Sequence, residues 1–149
     1  MEDKELFIEY HELKKEYQRS KFDYDKSLNK KAEYLYSILP GGSNTESELI
    51  KGGSSDKLLN YTIKMEEIEK EITVRRNLMD NLSYRLKLKE FELKDSENIL
   101  DKIYYLKYVK NNKARHIARI LNYSPSRTYD YLLEVKKSIE NTKSEKIGI

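Results

Sequence analysis

Apolar and aromatic residues recur at spacings of three and four along most of this chain, the period of an amphipathic helix. The first stripe runs through Leu6, Tyr10, Leu13, Tyr17, Tyr24, Leu28, Leu35 and Ile38. A sharper one follows at Leu58, Tyr61, Met65, Ile68, Ile72, Arg75, Met79, Leu82 and Leu86, alternating three and four residues with one polar interruption. That alternation predicts a coiled-coil seam, and the long stem of Arg75 can lie along it while its charged head snorkels outward. Between the stripes, Pro40-Gly-Gly and Gly52-Gly-Ser-Ser55 bracket a Ser-rich stretch that predicts a flexible connector, long enough for the two helices to fold back antiparallel. Asp56 or Ser55 is the expected cap of the second helix. The polar run Lys94-Asp-Ser-Glu-Asn98 breaks the seam, and a third helix is expected from there to Asn111-Asn112, with Ile99, Leu100, Ile103, Leu106 and Val109 on its apolar face.

The last pattern is shorter. Ile117, Ile120 and Leu121 predict the inward face of a short helix, with Ala118 small enough for close crossing by the next. Asn122 suits a left-handed turn residue, and Ser124 before Pro125 is a strong helix start, since the hydroxyl can cap free amides and Pro fits the first helical position. The following helix is expected to reach about Asn141, burying Thr128, Tyr131, Leu132 and Val135. Ser126, Arg127, Tyr129 and Asp130 then face solvent near its N-terminus, the part that enters the major groove in helix-turn-helix proteins.

Charge sharpens this picture. Between Lys102 and Tyr129 there are seven basic residues and no Asp or Glu, which leaves 22 basic against 26 acidic residues in the rest of the chain. The formal net charge of +3 therefore arises from a +7 segment on a −4 background. A nucleic-acid binder concentrates positive charge in this way. Lys113, Arg115 and Arg119 flank or lie on the first helix of the motif and are expected on phosphates, while Ser124, Ser126, Arg127, Tyr129 and Asp130 complete the expected DNA-binding set.

The expected fold class is all-α, a long helical hairpin or coiled coil followed by a C-terminal trihelical helix-turn-helix domain. Its divisions are a long N-terminal helix over 1–39, a linker over 40–55, a second coiled-coil helix over 56–94, the helix-turn-helix domain over 95–141 and a tail over 142–149. At 37% charged and 38% hydrophobic, with five glycines and two prolines, the chain favours exposed helices over a thick core. It has no cysteine, which removes disulfides and thiolate metal sites, and no apolar run long enough to cross a membrane, so a cytoplasmic protein is expected. No cofactor and no catalysis are expected. His11 and His116 lie far apart without clustered carboxylates, and the carboxylates are interleaved with Lys and Arg as on solvated helix faces. His11 reads as a solvent-facing helix residue. A phosphate-loop reading of the Gly-Gly-Ser triplets fails because no Gly-Lys-Ser/Thr follows them.

The run from Leu100 to Ser124, and within it Ile117-Ala118 followed by Leu121-Asn-Tyr-Ser124, resembles the C-terminal part of phage-encoded transcriptional regulators of the ArpU/RinA type, which are similar in turn to region 4 of sigma factors. Leu39-Pro-Gly-Gly42 and Gly52-Gly-Ser-Ser-Asp56 extend the similarity to roughly residues 39–139. Pro125-Ser126 and Asp130 depart from the acidic and basic residues more usual in that family's recognition helix. The resemblance implies a DNA-binding regulator of phage or prophage genes in a bacterial host cell. Double-stranded DNA is the implied partner, with RNA polymerase and a homodimer through the helices as further ones. Two alternatives stand beside it, a small terminase-like DNA-packaging component and a structural coiled-coil protein.

Overall fold

The computed structural model describes residues 5–38 and 55–147, with side chains described through Thr142. Among these residues every regular element is helical: α1 (Leu6–Ile38), α2 (Ser55–Asp95), α3 (Ile99–Tyr104), α4 (Ala114–Leu121) and α5 (Pro125–Ile147). The connector expected over residues 40–55 lies outside the described residues, apart from Ser55, which opens α2. Beyond Asn141, where a tail was expected, α5 continues to Ile147. Packing divides the chain into two compact units, Glu16–Ser83 and the pair of segments Met1–Lys15 and Tyr84–Ile149. The division falls inside α1 and α2, away from the expected boundary at residues 94–95.

In the first unit, α1 and α2 pair antiparallel within the chain. Partner numbers rise on one helix as they fall on the other: Asp23 meets Arg75 at 3.5 Å, Lys30 meets Glu71 at 3.4 Å, Lys31 meets Glu69 at 3.5 Å, and the Tyr34 and Tyr61 rings stack at 5.7 Å. The seam on α2 follows the expected positions, with Ile68, Ile72 and Leu82 buried and Tyr61, Met65 and Met79 half-buried. Leu58, expected in it, is exposed. Arg75 occupies its seam position with its stem and carries its head out to Asp23 of α1 and to Glu71 at 3.0 Å, one turn back on its own helix.

On α1 the seam departs from the expected stripe. Ser20 and Ser27 are buried, whereas Leu28 is 38% exposed. The reason is phase. Steps of three and four from Tyr10 reach Leu13, Tyr17, Ser20, Tyr24, Ser27, Lys31 and Tyr34, so Leu28 falls one residue past the seam. Ser27 satisfies its hydroxyl by donating to the Asp23 carbonyl of its own helix at 3.0 Å.

The second unit has a thicker core, built from Phe7, Tyr10, Leu93, Ile103, Tyr104, Ile117 and Val135. Phe7 and Tyr108 each stack on Tyr104, at 5.6 and 4.8 Å, and Tyr10 meets it edge-on at 5.8 Å. Burial pushes the Tyr104 hydroxyl well above the usual phenol range. His11, expected to face solvent, is half-buried here, with Nδ1 3.0 Å from the Tyr104 hydroxyl and its ring edge-on to Tyr104 and Tyr108. Desolvation, reinforced by Lys15 and Lys14, lowers its pKa.

A buried carboxylate ties these segments together. Asp101 accepts a hydrogen bond from the Phe7 amide at 3.0 Å and another from the Ser96 hydroxyl at 2.7 Å. The first amides of a helix have no intrahelical partner and carry the positive end of its dipole, so an acid 94 residues along the chain acts as a cap for α1. Asn98 caps α3 locally, accepting from the Leu100 amide at 2.9 Å. After Tyr104 the helix widens into a π-helical turn over Tyr105–Val109, closed by Lys110 N–H to the Tyr105 carbonyl at 3.0 Å. Asn111, with φ 57°, ends it.

Candidate nucleic-acid interface

The short loop between α4 and α5 is set by its own residues. Asn122 takes the left-handed conformation, φ 58° and ψ 44°, which Asn tolerates better than most residues. The Tyr123 amide then bonds back to the Ala118 carbonyl at 2.9 Å, closing the C-terminus of α4. Two residues on, the Ser124 hydroxyl accepts from the Arg127 amide at 3.2 Å and caps α5. This leaves three residues, Asn122 to Ser124, between the helices. Both helices are packed together, and α5 also packs against α3.

On α4, Ile117 and Ala118 are buried and Leu121 is half-buried, but Ile120 is 50% exposed, contrary to the inward position expected for it. On a wheel of 100° per residue, Ile120 lies about 110° from the centre of the buried arc and about 40° from His116, outside the buried arc like Arg115 and Arg119. Those three are all exposed. On α5, Thr128 and Val135 are fully buried and Tyr131 and Leu132 half-buried, as the spacing predicts.

All eight residues of the expected DNA-binding set lie in this unit and are exposed: Lys113 at the start of α4, Arg115 and Arg119 along it, Ser124 at the cap, and Ser126, Arg127, Tyr129 and Asp130 in the first turns of α5. Lys107 and Lys110 are also exposed. Among the described residues, Lys107, Lys110, Lys113, Arg115, Arg119 and Arg127 make no ion pair with a carboxylate. No Asp or Glu lies between Lys102 and Tyr129 in sequence, and Asp130 is the first acid beyond Arg127.

Arg127 is held in a way that spacing alone did not reveal. Its guanidinium lies 4.5 Å from the Tyr123 ring centroid and 5.7 Å from that of Tyr131, and Nη2 donates to the Tyr131 hydroxyl at 3.3 Å. That hydrogen bond, and the charge interaction with the same hydroxyl, raise its pKa further. The part legible in sequence is Arg127-x₃-Tyr131, one turn apart on α5, while Tyr123 reaches the guanidinium from the loop before the helix. Leu133 was likewise missed: it is 40% exposed, one turn beyond Tyr129, which is 58% exposed.

Among the described residues no group of three His, Cys, Asp or Glu side chains could hold an ion. A polar cleft in the hairpin is lined by Lys30, Glu71, Asp23 and Arg75, which already pair with one another. No helix among the described residues is long and apolar enough to cross a membrane. Comparisons with protein-family models, characterised proteins and solved structures found no match.

Proposed function

We propose that α4 and α5 form a helix-turn-helix through which this protein binds double-stranded DNA, as a sequence-specific transcription regulator of the kind the resemblance to phage ArpU/RinA-type proteins implies. The observation that carries this reading is the run of six exposed cations from Lys107 to Arg127 without a carboxylate partner among the described residues. A stretch of surface that carries cations and no acid concentrates positive potential, which draws a polyanion to it. A short helix, a three-residue turn closed by a left-handed Asn, and a capped second helix with polar residues in its exposed first turns support the same reading.

Phosphate contacts fall to Lys113, Arg115 and Arg119, and sequence reading to the first turns of α5. Recruitment of RNA polymerase belongs to the regulator reading as its second partner. The test is fluorescence anisotropy of the full chain on a labelled random-sequence duplex at low ionic strength, followed by selection from a randomised duplex pool. Salt-sensitive binding and enrichment of a common site are expected. No binding even at low salt overturns the proposal. A closed ring of many subunits by light scattering would favour packaging over regulation.

A further inference from the structure

The outward ridge of α5 is not the one that charge alone suggests. Taking Ser126 as zero on a wheel of 100° per residue, the buried arc of α5 is centred about 190° away, which puts Ser126, Asp130, Leu133 and Lys137 within about 30° of the outermost line, with Tyr129 about 70° to one side of it. Arg127 sits about 90° to the other side of that line, folded over Tyr123 and Tyr131. The exposed face of α5 therefore carries an apolar pair, Leu133 near its outermost line and Tyr129 one turn back on one flank, with two acids, Asp130 and Glu134, on the other side of Leu133.

Two features identify what fits it. Asp130 repels a phosphate backbone, so the ridge is suited to base edges, while the cations of the same unit that make no carboxylate contact, on α4 and just before it, are free to hold the flanking phosphates. Among the groups displayed in the major groove, only the 5-methyl of thymine is apolar. Resting on the DNA-binding reading above, we infer that Tyr129 and Leu133 read thymine methyl groups, so that the preferred sites carry thymine opposite the second and third turns of α5. Arg127, braced by its two tyrosines, is then a backbone clamp at the edge of the groove.

The inference is tested with a duplex enriched from the randomised pool, prepared with thymidine and again with deoxyuridine, which lacks only the methyl group. The full chain is expected to lose about 4-fold in affinity per methyl contacted on the deoxyuridine form, or about 16-fold for two, given the transfer free energy of a buried methyl-sized group. The Tyr129→Ala/Leu133→Ala variant should bind the two forms equally. Both residues are exposed, and helicity checks that the variant is folded; Tyr129→Ala alone, which should lose part of the discrimination, provides a second reading. Equal affinity of the unaltered protein for both forms overturns the methyl inference and leaves DNA binding standing, whereas failure to bind either form overturns both.

Discussion

The hairpin of Glu16–Ser83 and the unit that contains α3 to α5 distribute their charges differently. In the hairpin, Lys30, Lys31 and Arg75 each meet a carboxylate across or along the helices, and Glu71 is held below the usual carboxylate range by hydrogen bonds from Arg75 and Lys30. In the other unit Lys89 meets Glu9 at 2.7 Å, but the six cations from Lys107 to Arg127 meet no carboxylate among the described residues. Other exposed cations of the hairpin, Lys21, Lys26, Lys64 and Lys70, also make no ion pair among the described residues, but they are interleaved with carboxylates in sequence, whereas no Asp or Glu lies among those from Lys107 to Arg127. The cores of the two units differ as well. The hairpin buries a thin seam interrupted by Ser20, Ser27 and Arg75, while the other unit closes around stacked aromatic rings and a buried, doubly bonded Asp101.

The largest effect should come from that aromatic core. Phe7→Ala is expected to cost about 3–5 kcal/mol of stability, because it removes a fully buried ring from the Tyr104 stack. Thermal unfolding followed by near-ultraviolet dichroism reads the tyrosine packing, and a melt unchanged from that of the unaltered chain would contradict the assignment of α1's first turns to this core. Asp101→Ala comes next. It leaves the Phe7 amide without its acceptor and should cost about 1.5–3 kcal/mol, read as a lower denaturant midpoint. Ser124→Ala should cost about 1 kcal/mol by removing the cap of α5. It should also weaken DNA binding, whereas a loss of stability with no change in binding would separate the cap from the interface.

The smallest predicted effect is a dependence on pH. His11 has a lowered pKa in the folded chain, chiefly through burial and then through Lys15 and Lys14, so its contribution is present at neutral pH. As pH falls below the ordinary histidine range, near 6.5, the unfolded chain takes up the proton first and stability declines. Glu5, raised by burial and by Asp101 and Glu134, acts in the opposite direction at lower pH, where its protonation favours the folded state. Comparison with His11→Gln isolates the histidine: the difference between the two chains should grow on acidification from pH 7 to 6, and parallel profiles would remove His11 from the account.

What was legible beforehand is the part of the molecule governed by local rules. The seam from Tyr61 to Leu86, the left-handed Asn122 and the capping Ser124 each follow from neighbours within a turn or two. The union of Phe7, Tyr10 and His11 with Tyr104 was not legible, because partners more than 90 residues apart leave no periodic trace. Ser20 and Ser27 were passed over because hydrophobicity points away from a serine even where the helix phase points to it. Ile120 misled for the converse reason, an apolar residue whose angle on α4 takes it away from the core. The π-helical turn at Tyr105–Val109 has no signature in composition. The exposed cations were visible as a charge imbalance, but whether carboxylates from elsewhere in the fold approach them depends on tertiary packing.

The contrast between answered and unanswered charge is tested most directly by the salt dependence of DNA binding in two matched variants. Lys113→Ala/Arg115→Ala/Arg119→Ala and Lys30→Ala/Lys31→Ala/Arg75→Ala each remove three cations, one set without carboxylate partners and one with them. If phosphates are held at α4, the first variant should flatten the slope of log affinity against log salt by up to about 0.9 per lost contact, and the second should leave it unchanged. Equal changes in the two variants, or an unaltered slope in the first, would contradict the claim that these cations are kept unpaired for DNA.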